Sequence, residues 1–92
     1  MSIVEELYNT IAERKTHPKE GSYTTYLFDK GIDKILKKVG EEAAEIIIAA
    51  KNNNKEEITY ELADLLYHLS VLMVQTDVCW DDVLKELAQR KK

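Results

Sequence analysis

Two short acidic motifs within otherwise apolar helical patterns constrain this chain more than any other feature. Residues 41–45 read E-E-x-x-E, and residues 61–64 read E-x-x-D. Residues three or four positions apart share one face of an α-helix, so each motif points its acids to one side. Two packed helices would bring both sets of acids together, where they repel one another unless a cation lies between them. Hard oxygen ligands of this kind suit Mg²⁺.

The second acidic motif is flanked by apolar residues on two sides. The two stripes, at helical spacing, are Leu62, Leu65, Leu69 and Leu72 on one side and Ala63, Tyr67 and Val74 on the other. A helix that is apolar nearly all round is a buried helix. A bare carboxylate there is costly unless it is paired or its pKa shifts. A solvated acidic edge, or pairing with nearby lysines, is the alternative, and the apolar flanks favour a cation site.

The length of the chain predicts one domain, residues 1–92. A chain this short buries only about 60–65% of its unfolded surface. Its single cysteine, Cys79, can form no internal disulfide. The helical segments 31–51 and 55–75 have more apolar surface than so short a chain covers, so we expect a homodimer with a larger core.

The charge of the chain restricts its partners. The formal net charge is −4, and no basic run stands out except residues 90–92, which argues against a nucleic-acid polymer. A small anionic substrate stays compatible, because local lysines and a metal ion can outweigh the overall charge. The first residues have no basic region or long apolar run, and no window approaches about 18 apolar residues. We therefore expect no signal peptide, no membrane span and a cytoplasmic protein.

Apolar spacing predicts helices along the whole chain. A first helix is expected over 3–15, followed by a loop and a short helix that Ser22 caps and Gly31 ends. The two long helices, 31–51 and 55–75, are joined by a turn of three asparagines. The fold class predicted is all-α, a helical bundle built around a two-helix metal-binding hairpin and completed by homodimerisation.

A last helix is expected after a break from Thr76 to Trp80, with its apolar residues Val83, Leu84 and Leu87 facing inward. No strand pattern, glycine-rich phosphate loop or zinc-ligand spacing appears in the sequence. Gly40 stands inside the third predicted helix, just before the acids. Close helix packing and room for a ligand both explain a glycine there, and the sequence does not separate them.

The two acidic motifs resemble the metal signature of the all-α nucleoside-triphosphate pyrophosphohydrolases, which include MazG-type and dimeric dUTPase-type enzymes. The rest of the chain narrows the resemblance to the phosphoribosyl-ATP pyrophosphohydrolase family. The matching positions are Ser22-Tyr23-Thr24, Leu27, Gly31, Lys34, residues 38–45, residues 61–68, Val71-Leu72, Leu84, Leu87 and Arg90.

This resemblance implies the second step of histidine biosynthesis. In that reaction water cleaves the α–β phosphoanhydride of phosphoribosyl-ATP, giving phosphoribosyl-AMP and pyrophosphate. The chain looks like the stand-alone form, without a fused cyclohydrolase domain. The chemistry of the residues agrees, because a triphosphate needs a divalent metal to neutralise its oxygens and stabilise developing charge.

We hypothesise that the acidic residues have the catalytic roles. We expect Glu42, Glu45, Glu61 and Asp64 to be the Mg²⁺ ligands. Glu41 is the candidate for binding a second ion or for orienting water. All five carboxylates are therefore candidate catalytic residues.

Five other residues are candidates for substrate binding. Lys38, one turn before the second acid, would meet the phosphates or form a salt bridge with an acid of its own helix. His68 fits a hydrogen-bond partner of the site or a core histidine better than a direct Mg²⁺ ligand. Ser22, Tyr23 and Thr24 are expected at the substrate from the resemblance alone; their local pattern is that of a helix cap.

Three other functions fit parts of the sequence. A pyrophosphohydrolase of the same superfamily acting on other nucleotides is one, and a non-catalytic helical dimerisation module with an acidic groove is another. A di-iron carboxylate bundle is the third. It requires Glu-x-x-His pairs, and neither His17 nor His68 follows a glutamate at that spacing.

Overall fold

The computed structural model describes residues 2–91, and nearly all of them lie in five α-helices. The helices are α1 (Ile3–Thr16), α2 (Tyr23–Lys30), α3 (Ile32–Lys51), α4 (Lys55–Gln75) and α5 (Trp80–Arg90). Residues 2–91 contain no strand. The predicted all-α class is confirmed, and every predicted helix is present at the place that its apolar spacing indicated.

Local hydrogen bonds set the helix boundaries that position the site. The Ser22 side chain accepts the N–H of Thr25 at 3.2 Å and so caps α2. Gly31 separates α2 from α3 at a φ of 91°, a conformation that favours glycine. Asn54 accepts the N–H of Glu57 at 3.1 Å and begins α4. The short turn between α3 and α4 makes these two helices antiparallel neighbours.

The core lies where the first four helices meet. Each contributes one fully buried side chain: Ile11, Leu27, Ile35 and Val71. Half-buried side chains pack around these four: Leu7, Phe28, Tyr67, Leu72 and Val74. The contact between α3 and α4 is the most extensive of any helix pair. The two acid-bearing helices are therefore held together by the same packing that forms the core.

The burial of α4 is divided along its length. Its buried residues all lie in the second half of the helix, from His68 to Met73. In the first half Leu62 is 46% exposed, and Leu66 is also exposed. The expectation of a helix buried all round is thus met only near its C-terminal end, because no other helix of the chain covers the outer side of residues 55–66.

α5 departs from the prediction. Val83 is half-buried, but Leu84 and Leu87, which were expected to face inward, are each 55% exposed. The physical reason is that α1 to α4 close the core without α5, which makes few contacts with them. Amphipathic spacing marked the apolar side of α5 correctly, but it does not reveal whether the same chain covers that side.

No helix within residues 2–91 combines the length and the apolar character that crossing a membrane requires.

Candidate active site and metal centre

The α3/α4 contact brings the predicted acidic residues together. Side-chain oxygens of Glu42 and Glu45 on α3 and of Glu61 on α4 lie within 4.8 Å of one another. An overlapping group joins Glu42 to Asp64 and His68 within the same distance. All four predicted Mg²⁺ ligands therefore belong to one cluster, and Glu42 is common to both groups.

Glu42 is the most buried member of the cluster, with only 4% of its surface exposed. Its Oε2 atom has no hydrogen-bond partner among the described residues. Burial raises the pKa of Glu42 to about 7; a hydrogen bond with Asp64 and the negative charges of Asp64 and Glu45 add to the rise, while Lys38 opposes it. The protein thus holds a carboxyl group in surroundings that disfavour its charge.

Glu61, on α4, is also held in surroundings that disfavour its charge. Its Oε1 atom is shielded from solvent and has no hydrogen-bond partner within residues 2–91. Burial is the first cause of its raised pKa, followed by a hydrogen bond with Glu45 and the negative charges of Glu45, Asp64 and Glu57. Buried polar atoms in native proteins normally have partners. Two unpartnered carboxylate oxygens on facing helices therefore fit a divalent cation, which favours such hard oxygen ligands.

Glu41 and Lys38 lie together at the edge of the cluster. Glu41 is half-exposed, belongs to neither carboxylate group, and lies 3.5 Å from the Lys38 Nζ atom. This is the salt bridge that the sequence left as one alternative for Lys38. Burial lowers the pKa of Lys38, but anionic neighbours, including Glu41 and Glu42, outweigh this effect and raise it overall. Lys38 is therefore a charged group beside the acids.

His68 connects the cluster to α2. Its Nδ1 atom lies 2.9 Å from the Asp64 carbonyl oxygen, which can only accept, so Nδ1 carries the proton. Its Nε2 atom then accepts a hydrogen bond from the Tyr23 hydroxyl at 3.0 Å. Both ring nitrogens are thus satisfied without a metal, in a side chain that is buried. This arrangement agrees better with a hydrogen-bond partner of Asp64 than with a direct ligand.

A second pair of hydroxyl groups joins α2 to α4 beside this contact. The Thr24 hydroxyl is hydrogen-bonded to the Tyr67 hydroxyl, while the Tyr67 ring packs against the core. Burial raises the pKa of Tyr23, Lys38 opposes the rise, and the negative charges of Asp64 and Glu42 add to it. Tyr23 and Thr24 therefore lie at the cluster, whereas Ser22 serves as the cap of α2.

Two features lie beside the cluster: a cavity that the sequence did not indicate, and Gly40, for which the sequence left two explanations open. Tyr60 and Tyr67 line a cavity of about 240 Å³ together with Ala63 and Asp64. The spacing of the two tyrosines, two turns apart on one helix, was a signal that could have indicated it. At Gly40 an added Cβ atom would meet nothing within 4 Å. Close packing within this chain therefore does not explain that glycine.

The raised pKa of Glu42 predicts how stability depends on pH without metal. The unfolded carboxyl ionises near 4.5 and the folded one near 7. The contribution of this group to stability is therefore fully present below about pH 4.5, falls as the pH rises to about 7, and is constant above, a loss of about 3 kcal/mol. Thermal melts in chelator should show this loss in the wild type and little of it in Glu42→Gln. The exposed variant Glu20→Gln is the control, and an equal loss in all three proteins would contradict the assignment.

Comparison with known proteins identifies the family. A family model described as phosphoribosyl-ATP pyrophosphohydrolase matches residues 4–91. The phosphoribosyl-ATP pyrophosphatase of Lactiplantibacillus plantarum is 59% identical over 91 residues, which cover 99% of this chain and 86% of the relative. The phosphoribosyl-ATP pyrophosphatase of Clostridium novyi is 55% identical over 92 residues, covering 100% of this chain and 84% of the relative.

A longer relative contains a similar segment within a larger protein. The histidine biosynthesis bifunctional protein HisIE of Thermoanaerobacter pseudethanolicus is 62% identical over 84 residues, which cover 91% of this chain and 39% of the relative. The family model and these relatives match nearly the whole chain, including both acid-bearing helices. The chain belongs to the phosphoribosyl-ATP pyrophosphohydrolase family.

Proposed function

We propose that this chain hydrolyses the α–β phosphoanhydride of phosphoribosyl-ATP to phosphoribosyl-AMP and pyrophosphate, the second step of histidine biosynthesis. The observation that carries the proposal is the pair of unpartnered, buried carboxylate oxygens of Glu42 and Glu61 where α3 meets α4. The names of the relatives and the family model support the substrate. Because this substrate is a derivative of ATP, we place the reaction in the cytoplasm.

Mg²⁺ is the cofactor that we propose for this cluster. Glu42, Glu45, Glu61 and Asp64 would hold it, since their oxygens already lie together on facing helices. When bound, the ion would neutralise phosphate oxygens and lower the pKa of a nearby water molecule. Glu45 is exposed, so the cluster is open to a substrate on that side.

The remaining residues would bind and orient the substrate. Lys38 is charged and half-buried beside the cluster, so it would contact the phosphates. Glu41 lies outside both ligand groups, and we assign it to orienting the attacking water rather than to the first ion. His68 would fix Asp64 through its backbone, while Tyr23 holds the other nitrogen of the histidine ring.

The reaction itself is the first test. Incubation with phosphoribosyl-ATP and Mg²⁺ should release pyrophosphate, and thorough chelation should abolish the release, because the acids then repel the triphosphate. A parallel panel of ordinary nucleoside triphosphates tests the alternative of a different pyrophosphohydrolase of this superfamily. Activity that survives chelation would contradict the metal site, and turnover of the panel alone would contradict the substrate. Absence of all hydrolysis would leave a helical dimerisation module.

The effect of Asp64→Asn on the melting temperature should change sign when Mg²⁺ is added. The replacement changes packing little and removes one charge from a crowded cluster, so the metal-free variant should melt above the wild type. With Mg²⁺ the order should invert, because a ligand that binds the native state adds about 2.7 kcal/mol at one hundred times its Kd. The variant should lose much of that gain and most of its turnover. Equal gains from Mg²⁺ in both proteins would remove Asp64 from the ligand set.

We also propose a homodimer formed through the outer side of α4. Leu62 and Leu66, one turn apart, lie exposed on the side of this helix away from Glu61 and Asp64. A second copy of the chain offers the same apolar side chains and would cover them.

Sedimentation at micromolar concentration should give the mass of two chains. Leu66→Glu should shift the protein toward one chain, because it would bury a charge at the contact. Ile3→Glu, on the exposed start of α1, should leave the mass unchanged. A wild-type mass of one chain would refute the dimer.

A further inference from the structure

Two lysines each contact the ring of the same tyrosine, at the end of the site remote from the turn between α3 and α4. Lys30 Nζ lies 5.8 Å and Lys34 Nζ 6.0 Å from the centroid of the Tyr26 ring. Within residues 2–91 neither lysine forms an ion pair, although Asp29 and Asp33 adjoin them in sequence. This cation pair, Lys30 and Lys34, therefore shares Tyr26 as a neighbour, and neither lysine has a counter-ion within residues 2–91.

The helix dipole favours only one of these two lysines at its position. Lys30 lies in the last turn of α2, where a cation interacts favourably with the helix dipole. Lys34 lies in the first turn of α3, where a cation interacts unfavourably with the dipole. Lys34 therefore does not stabilise the helix that carries it. An anion bound between the two lysines would compensate this cost.

The cation pair is aligned with the acidic cluster. Lys34, Lys38 and Glu42 succeed one another at intervals of four residues along one side of α3. The first and last are separated by about 12 Å, since an α-helix rises about 1.5 Å per residue. Basic residues thus extend from the carboxylates toward α2 along one side of the protein.

A row of aromatic rings follows the same direction. Tyr26 stacks on Tyr23 with centroids 6.0 Å apart, and Tyr23 stacks on Tyr67 with centroids 6.1 Å apart. The row begins under the cation pair and ends beside His68, where the ring of Tyr23 makes an edge contact. Tyr23 and Tyr26 are both more than a third exposed, so this row lies at the surface of the protein beside the cluster.

We infer that Lys30 and Lys34 bind the phosphate of the phosphoribosyl arm of the substrate, with Tyr26 holding the two ammonium groups in place. The inference rests on the proposed function. In phosphoribosyl-ATP a purine and two ribose rings separate the triphosphate from this second phosphate, a span comparable to two turns of α3. With the anhydride at the carboxylates, the purine lies along the tyrosine row and the distant phosphate reaches the cation pair. ATP lacks that phosphate, so these contacts distinguish the two nucleotides.

Steady-state kinetics of Lys34→Met test the inference. Loss of one charge-assisted hydrogen bond should raise the KM for phosphoribosyl-ATP about tenfold and leave kcat within about twofold, because the reacting anhydride is untouched. Lys37→Met removes the same charge from an exposed neighbouring position of α3 and should change KM less than about twofold. Equal KM values for the two variants would overturn the inference.

Tyr26 is a positioning residue in this scheme and has its own test. Tyr26→Phe keeps the ring under both ammonium groups, so KM should stay near the wild-type value. Tyr26→Leu removes the ring and should raise KM in the same direction as Lys34→Met. Equal KM values for the variants Tyr26→Phe and Tyr26→Leu would show that the ring does not position the lysines.

Binding of the product separates failure of this inference from failure of the proposed function. By calorimetry, Lys34→Met should bind phosphoribosyl-AMP about tenfold more weakly than the wild type does, with no change for AMP, which lacks the second phosphate. If Lys34→Met weakened the binding of phosphoribosyl-AMP and AMP equally, Lys34 would attract anionic ligands in general. That result would overturn this inference but not the proposed function. If the wild type neither binds nor hydrolyses the phosphoribosyl nucleotides, the proposed function and the inference both fail.

Discussion

The burial of Glu42 is the constraint on which the rest of the site depends. The chain places this carboxyl group between two helices, gives one of its oxygens no partner and surrounds it with three other acids. Such an arrangement weakens the metal-free fold, because each ionised acid disfavours the next. Packing of Ile35 and Val71 holds the same two helices together. The fold thus supplies the stability, and in the proposed metal site the acids would convert part of it into affinity for a cation.

The short helix α2 extends this centre into the substrate site that we propose. Two hydroxyl contacts, Tyr23 with His68 and Thr24 with Tyr67, attach its first turn to α4. The buried side chain of Leu27 anchors the rest of α2 in the core. As a result the tyrosines of α2 stand in a fixed row beside the carboxylates, whereas a loop of the same length would leave them free to move.

Most of the fold could be read from the sequence, because helix periodicity and caps are local properties. The clustering of the four candidate ligands was also predictable, since acids spaced three residues apart on neighbouring helices of a hairpin can share a face. The exposure of Leu84 and Leu87 was not predictable, because an amphipathic pattern marks an apolar side without identifying what covers it. The pairing of Lys38 with Glu41 rather than Glu42 depended on side-chain geometry that spacing leaves open. Lys30 on α2 and Lys34 on α3 both contact Tyr26, and the chain bends between them at Gly31. Helical periodicity in the sequence does not predict the angle of that bend.

The distribution of charge explains how an acidic protein can bind a polyanion. The chain has a net charge of −4, and its carboxylates would repel a triphosphate at long range. Salt screens exposed charges beyond about 8 Å at physiological ionic strength, so the local arrangement decides. Along α3 the sequence changes from lysines at 34 and 38 to glutamates at 41, 42 and 45. In the function that we propose, one helix would therefore offer cations to the phosphates and carboxylates to the metal, and the boundary between them would fall at the anhydride.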